Sequence, residues 1–182
     1  MNGKYFLTML IVAGLSVVTA LAQAKPITRD EVNKAQQKWC DTLVEISQLH
    51  AKGKDYKSFT EKALSDIYYY DFGKILFKPT LAHGKQTFRT DKEGTLAYFI
   101  GGNKKYPGDS GFALKNWKKV TYDNSGGIVI DEDIAMTMGN VFLTDGKGNK
   151  VMVDKTFVFK RAPDGKLRIV LHKSALPFSP GK

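Results

Sequence analysis

The residues whose types and spacing could do chemistry lie near the C-terminus, in R-I-V-L-H-K-S-A-L-P-F, residues 168–178. Side chains alternate across a strand, so residues two apart face the same way. His172 and Ser174 then share one face with Arg168 and Val170, and Leu167, Ile169 and Leu171 share the other. An imidazole beside a hydroxyl can be the satisfied polar end of a strand. It can also be an acid–base group next to a hydrogen-bonding one.

Other chemistries fit less well. Three histidines, His50, His83 and His172, are too scattered for the ligand spacing of a zinc site. The acids Asp131-Glu132-Asp133 lack the spacing of a calcium loop. Gly101-Gly102-Asn103-Lys104 follows a helix rather than joining strand to helix, so it is no phosphate loop. Ser174 has no G-x-S-x-G elbow around it, which argues against a serine hydrolase. Thr80, after Pro79, and Tyr98, on a short helix, add hydroxyls that could enter a pocket, and ordinary packing explains both at least as well.

The elements that must position these groups follow from capping and periodicity. Thr28 and Glu31 form a capping box, and Val32, Ala35, Trp39, Leu43 and Ile46 recur at helical spacing up to Lys52-Gly53. A second helix is expected from about Tyr56 to Tyr70, broken by Gly73. Lys74 to Thr80 reads as extended, with Pro79 limiting sheet pairing there. Thr90 or Asp91 caps a short helix that ends at Gly101-Gly102, and residues 103–116 read as loop. From Trp117 the pattern is β: 117–122, 128–130, 134–143, 151–160 and 167–174, with a turn or bulge at 123–127, as successive hairpins of an antiparallel meander. Helices followed by a meander make an α+β domain with room for a pocket between the layers. The tail 176–180 is expected to wrap the sheet edge.

Residues 1–24 carry Lys4, an apolar run and Ala22-Gln23-Ala24, the pattern of a cleaved secretory signal. The expectation is an exported protein, periplasmic or secreted, with one domain over 25–182 and no membrane contact after cleavage. The full chain carries a net charge of +10. A basic surface favours anions, but no Arg-rich stripe with interleaved aromatics points to nucleic acid. The single cysteine, Cys40, cannot form an intramolecular disulfide and reads as a buried thiol.

F-K-P-T-L-A (77–82), G-T-L-A-Y-F-I-G-G (94–102), D-S-G-F-A-L-K (109–115), V-D-K-T-F-V-F-K (153–160) and L-R-I-V-L-H-K-S-A-L-P-F (167–178) together resemble the iota-class carbonic anhydrases, in their cyanobacterial and algal branch. That family is similar in fold to the association domain of calcium/calmodulin-dependent kinase two. The resemblance implies a cone-shaped, nuclear-transport-factor-like α+β fold and reversible hydration of CO2 to bicarbonate. It implies no cofactor, although zinc or manganese is described for other members. It places CO2 or bicarbonate among Thr80, Tyr98, His172 and Ser174, with His172 as general base. Many relatives read His-His-Ser-Ser where this chain has His172-Lys173-Ser174-Ala175; by parity the two changed positions face away from the pocket. A homodimer is expected through an outer face supplied by Leu167, Ile169 and Leu171. Two other readings stay open: a non-catalytic module that binds a small anion or builds an oligomer, and an isomerase-like pocket using Asp154 as a carboxylate base.

Overall fold

The computed structural model describes residues 25–180, so the signal pattern of residues 1–24 lies outside the described residues. Helix α1 spans Arg29–Ala51. Its capping box is formed: Thr28 Oγ accepts from the Glu31 N–H, and the Glu31 carboxylate accepts from the Thr28 N–H at 2.9 Å. Helix α2 spans Tyr56–Ile67 and starts on an Asp55 cap. It stops three residues before the expected end, because Tyr68 turns extended (φ −105°, ψ 154°) and bridges to Ile169 of the sheet. Strand β1 is Leu76–Lys78, and helix α3 spans Lys92–Ile100, capped by Asp91.

Strands β2 (Trp117–Tyr122), β3 (Gly127–Asp131), β4 (Ile134–Asp145), β5 (Lys150–Arg161) and β6 (Leu167–Ala175) follow. The sheet order is β1-β6-β5-β4-β2, and β3 also pairs with β4. Two features depart from a simple meander. β2 and β3 run the same way along one edge of β4, so the segment between them is a bulge in a broken edge strand, not a hairpin turn. Asp123 shapes it by accepting from the Ser125 and Asn140 N–H groups. The carbonyl of Asp123 comes so close to Gly139 that a Cβ there would sit 2.4 Å from it. Second, β1 joins the sheet parallel to β6, in the register Phe77↔His172 and Lys78↔Lys173. Pro79 falls just past this pairing, where its missing N–H costs no ladder bond.

The concave face of the sheet is the core. Trp39, Leu43 and Ile46 of α1 cover Val120, Ala135, Val141, Leu143, Val153, Phe157, Phe159 and Ile169, all buried. Aromatic rings dominate its centre and bring a large apolar area per residue. No helix among the described residues is long and apolar enough to cross a membrane. The tail does not wrap the edge as expected: Phe178 is 89% exposed.

Strand parity in β6 needs one correction. Ile169 pairs with Phe159 and Leu171 with Val158, so Val170 is an inserted residue. A bulge of this kind inverts the facing of everything on one side of it. Ile169 therefore lies on the inner face with His172, fully buried, and is not part of an outer apolar patch. Arg168 lies away from the His172 pocket: it donates to the Asp164 carboxylate at 2.7 and 2.8 Å and to the Ser65 carbonyl at 3.2 Å, under the Phe72 ring.

Candidate active site

The parallel pairing of β1 with β6 brings Thr80 to Ser174. Their hydroxyl oxygens are 2.6 Å apart, and Ser174 is fully buried while Thr80 is half-buried. Tyr98 comes from α3, and its hydroxyl accepts the Leu81 N–H at 3.4 Å, beside Thr80. Burial pushes its phenol up to about 12, with the neighbouring Thr80 opposing, so Tyr98 is a neutral hydroxyl near pH 7. The Lys78 ammonium donates to the backbone carbonyl of Ser174 at 3.1 Å and closes the strand ends over this group.

His172 sits two residues from Ser174 and is 2% exposed. Phe77 stacks on its face at 4.4 Å, and Phe157 and Trp39 close in at 4.8 and 5.5 Å. Both ring nitrogens are bonded. Nδ1 shares a hydrogen bond with the Tyr68 hydroxyl at 2.8 Å, which itself accepts the Trp39 indole N–H at 3.2 Å. Nε2 shares one with Lys155 Nζ at 2.8 Å. Burial in this aromatic shell holds the imidazole well below its usual 6.5, and the charge of Lys155 lowers it further. The ring is thus neutral and fixed in orientation, and it has no free lone pair for water unless a partner yields.

The structure therefore brings the four expected residues, Thr80, Tyr98, His172 and Ser174, to the same inner end of the sheet. It adds Tyr68, Trp39 and Lys155, which were not expected there. Lys155 was legible: in V-D-K-T-F (153–157) it is the charged residue on an apolar face, between Val153 and Phe157. Tyr68 gave no such signal, since its position depends on where α2 stops. Asp154 is excluded from the pocket, because it points to the opposite face of β5 and accepts from the Asn140 side-chain amide at 3.0 Å. Cys40 is buried as expected, and desolvation pushes its thiol up to about 12, which keeps it unreactive. Among the described residues no cluster of three or more His, Cys, Asp or Glu could hold a metal ion.

Fold and site together define an α+β cone whose closed end holds an oriented imidazole next to a hydroxyl cluster. The chain belongs to the metal-independent carbonic anhydrase family, whose model matches residues 30–176. It is 49% identical over 156 residues to the metal-independent carbonic anhydrase of a Nostoc species, covering 85% of this chain and 76% of that one. The crystal structure of a cyanobacterial iota-carbonic anhydrase complexed with bicarbonate superposes with a TM-score of 0.83 at 43% identity, over 95% of this chain and 99% of that one. A Xanthomonas campestris protein described as a calcium/calmodulin-dependent protein kinase II association domain matches with a TM-score of 0.51 at 22% identity, over 84% and 88% of the two chains, and shares the fold alone. The family is metal-independent, which agrees with the absence of a cofactor expected for this chain.

Proposed function

We propose that this carbonic anhydrase hydrates CO2 at the inner end of the cone, with His172 and its bonded partner as the proton-accepting group and Thr80, Ser174 and Tyr98 as the hydroxyls that hold the CO2 and bicarbonate oxygens. The observation that carries the reading is the Thr80–Ser174 hydroxyl pair, 2.6 Å apart, on the same strand end as an imidazole bonded at both nitrogens. Fixed donors of this kind stabilise charge as it develops on the CO2 oxygens, and they act most strongly where water is excluded. A positioned base removes the proton from the attacking water. The bicarbonate seen in the cyanobacterial iota-carbonic anhydrase supports the same ligand here. The isomerase reading loses its base with Asp154 turned outward.

Stopped-flow CO2 hydration, in chelator with elemental analysis of the sample, tests this. Turnover without stoichiometric metal is expected, and Ser174→Ala and Tyr98→Phe should each lower kcat/KM about tenfold, the worth of one hydrogen bond. A folded protein that binds bicarbonate and turns nothing over would instead be an anion-binding module.

The homodimer belongs to the same proposal, with a different surface from the one expected. On the convex face Val129, Met136, Met138, Phe142 and Met152 are exposed side by side across β3, β4 and β5. An apolar patch of this extent is a common association surface. Light scattering should give a dimer, and Met138→Glu should give a monomer with its fold intact. A wild-type monomer at high concentration would rule the interface out.

A further inference from the structure

Lys155 is the partner bonded at His172 Nε2, and the division of work within that pair follows from what surrounds each member. Lys155 is 5% exposed, and an unpaired buried ammonium is costly. The groups facing it come from every element packed against it. From α1 come the Trp39 ring, 4.2 Å from Nζ, and the Cys40 thiol. β5 itself adds the Phe157 ring at 5.5 Å. From β6 come His172 Nε2 at 2.8 Å and, directly across the register, Ser174. β4 presents only Gly139, and the nearby Asp123 carboxylate is turned onto Ser125 and the Asn140 N–H. Among the described residues no carboxylate makes an ion pair with Lys155.

The two ends of the His172 ring differ in what lies beyond them. Nδ1 points to Tyr68, which is fully buried and bridges to Ile169. Nε2 points to Lys155, which stands opposite Ser174 on the neighbouring strand, and cross-strand partners project to the same side. Lys155 and Ser174 are thus buried cross-strand neighbours on the inner face, with His172 Nε2 bonded to the amine.

We propose that Lys155 is the catalytic base: its neutral amine takes the proton of the attacking water, and His172, as a positioning residue, holds that amine through Nε2. This deepens the carbonic anhydrase reading above and rests on it. The water O–H bond breaks and its proton bonds to the Nζ lone pair. The water oxygen forms a C–O bond to CO2, and the electron pair of one C=O bond moves onto an oxygen held by the hydroxyls. Bicarbonate and the Lys155 ammonium result. The ammonium is then held by the Nε2 lone pair and the Trp39 face until the proton passes to solvent buffer. Protonation favours this route, because burial lowers Lys155 from 10.5 to about 7 while His172 falls well below 6.5, so the amine is the stronger base of the two.

The test is stopped-flow hydration across pH on the full chain, as wild type, Lys155→Met, Lys155→Arg and His172→Gln. Wild-type kcat/KM should rise with pH through a midpoint near 7. Lys155→Met and Lys155→Arg should each lose at least about a hundredfold in kcat, and the remaining rate should lack that midpoint. Arginine keeps the positive charge, so its failure separates a base from an electrostatic binder. Lys155→Met should melt no lower than wild type, since it removes a costly burial. A second measurement needs no variant to fold: in 13C-lysine-labelled wild type, one ε-carbon resonance should titrate near pH 7. A fully active Lys155→Met or Lys155→Arg, or an ammonium that persists beyond pH 9 in the resonance of Lys155, would overturn the proposal. An inactive His172→Gln beside an active Lys155→Met would sink only the role of Lys155. Absence of hydration by the wild type would sink the carbonic anhydrase reading itself.

Discussion

His172→Ala should lower the turnover of CO2 hydration by about 10² to 10⁴, the worth of general base catalysis, because the proton-accepting His172–Lys155 pair loses the member that holds it in place. The ring does two things that alanine cannot. Its Nε2 holds Lys155 at 2.8 Å, and its body fills the space between Phe77, Phe157 and Trp39. The fold is expected to survive with a loss of about 2–5 kcal/mol, typical of a large-to-small change in a core. His172→Gln restores some volume and hydrogen-bonding capacity without the imidazole, so it separates lost chemistry from lost packing. Wild-type turnover in a folded His172→Ala protein would remove the histidine from the mechanism.

The same ring sets a pH dependence of stability. Its pKa is lowered in the folded protein, so below about 6.5 the unfolded chain binds the proton first. Stability should fall as the pH drops through this range, down to the depressed folded pKa. His172→Gln should flatten that part of the urea-denaturation profile, and a variant as acid-sensitive as the wild type would contradict the assignment.

Asp109→Ala should destabilise the protein by about 3–5 kcal/mol, the cost of stranding one partner of a buried ion pair. Arg89 and Asp109 have side chains only 2% and 7% exposed, and one Arg89 nitrogen donates to both carboxylate oxygens, at 3.0 and 2.9 Å. Arg89 also lies 4.5 Å over the Tyr106 ring, and its Nε and Nη1 find no acceptor among the described residues. Its guanidinium has Asp109 as its ion-pair partner among the described residues. The pair ties the loop before β2 to the segment that follows β1, where the Arg89 N–H donates to the Phe77 carbonyl at 2.8 Å and the Arg89 carbonyl accepts from the Phe77 N–H at 3.2 Å. Phe77 covers the face of His172, so a loosened loop should also reduce activity. Urea denaturation measures the loss, and a change below about 1 kcal/mol would mean that water reaches the guanidinium. An Arg89→Met, Asp109→Leu double variant should recover much of it, because replacing a whole buried pair is far cheaper than breaking one.

Much of this architecture was legible in the residues because it depends on contacts a few positions apart. The Thr28–Glu31 box starts α1, Asp91 starts α3, and alternation marks β4, β5 and β6. The shared face of His172 and Ser174 followed from parity alone, and no irregularity falls between them. Parity failed four residues earlier, since one inserted residue at Val170 inverts the facing of Arg168 and draws Ile169 inside. Nothing local marks that insertion; it becomes visible only against the partner strand. The approach of Thr80 to Ser174 required β1 to pair in parallel with a strand more than ninety residues away. Tyr68 reached His172 because α2 ends at Ile67, a boundary decided by the bridge to Ile169. The sequence by itself determined which elements form and which residues share a face, because capping and alternation are short-range. Only the tertiary structure decided which faces meet, because strand register and helix termination are settled by distant partners, and the Tyr68–His172–Lys155 chain exists only once those partners are in place.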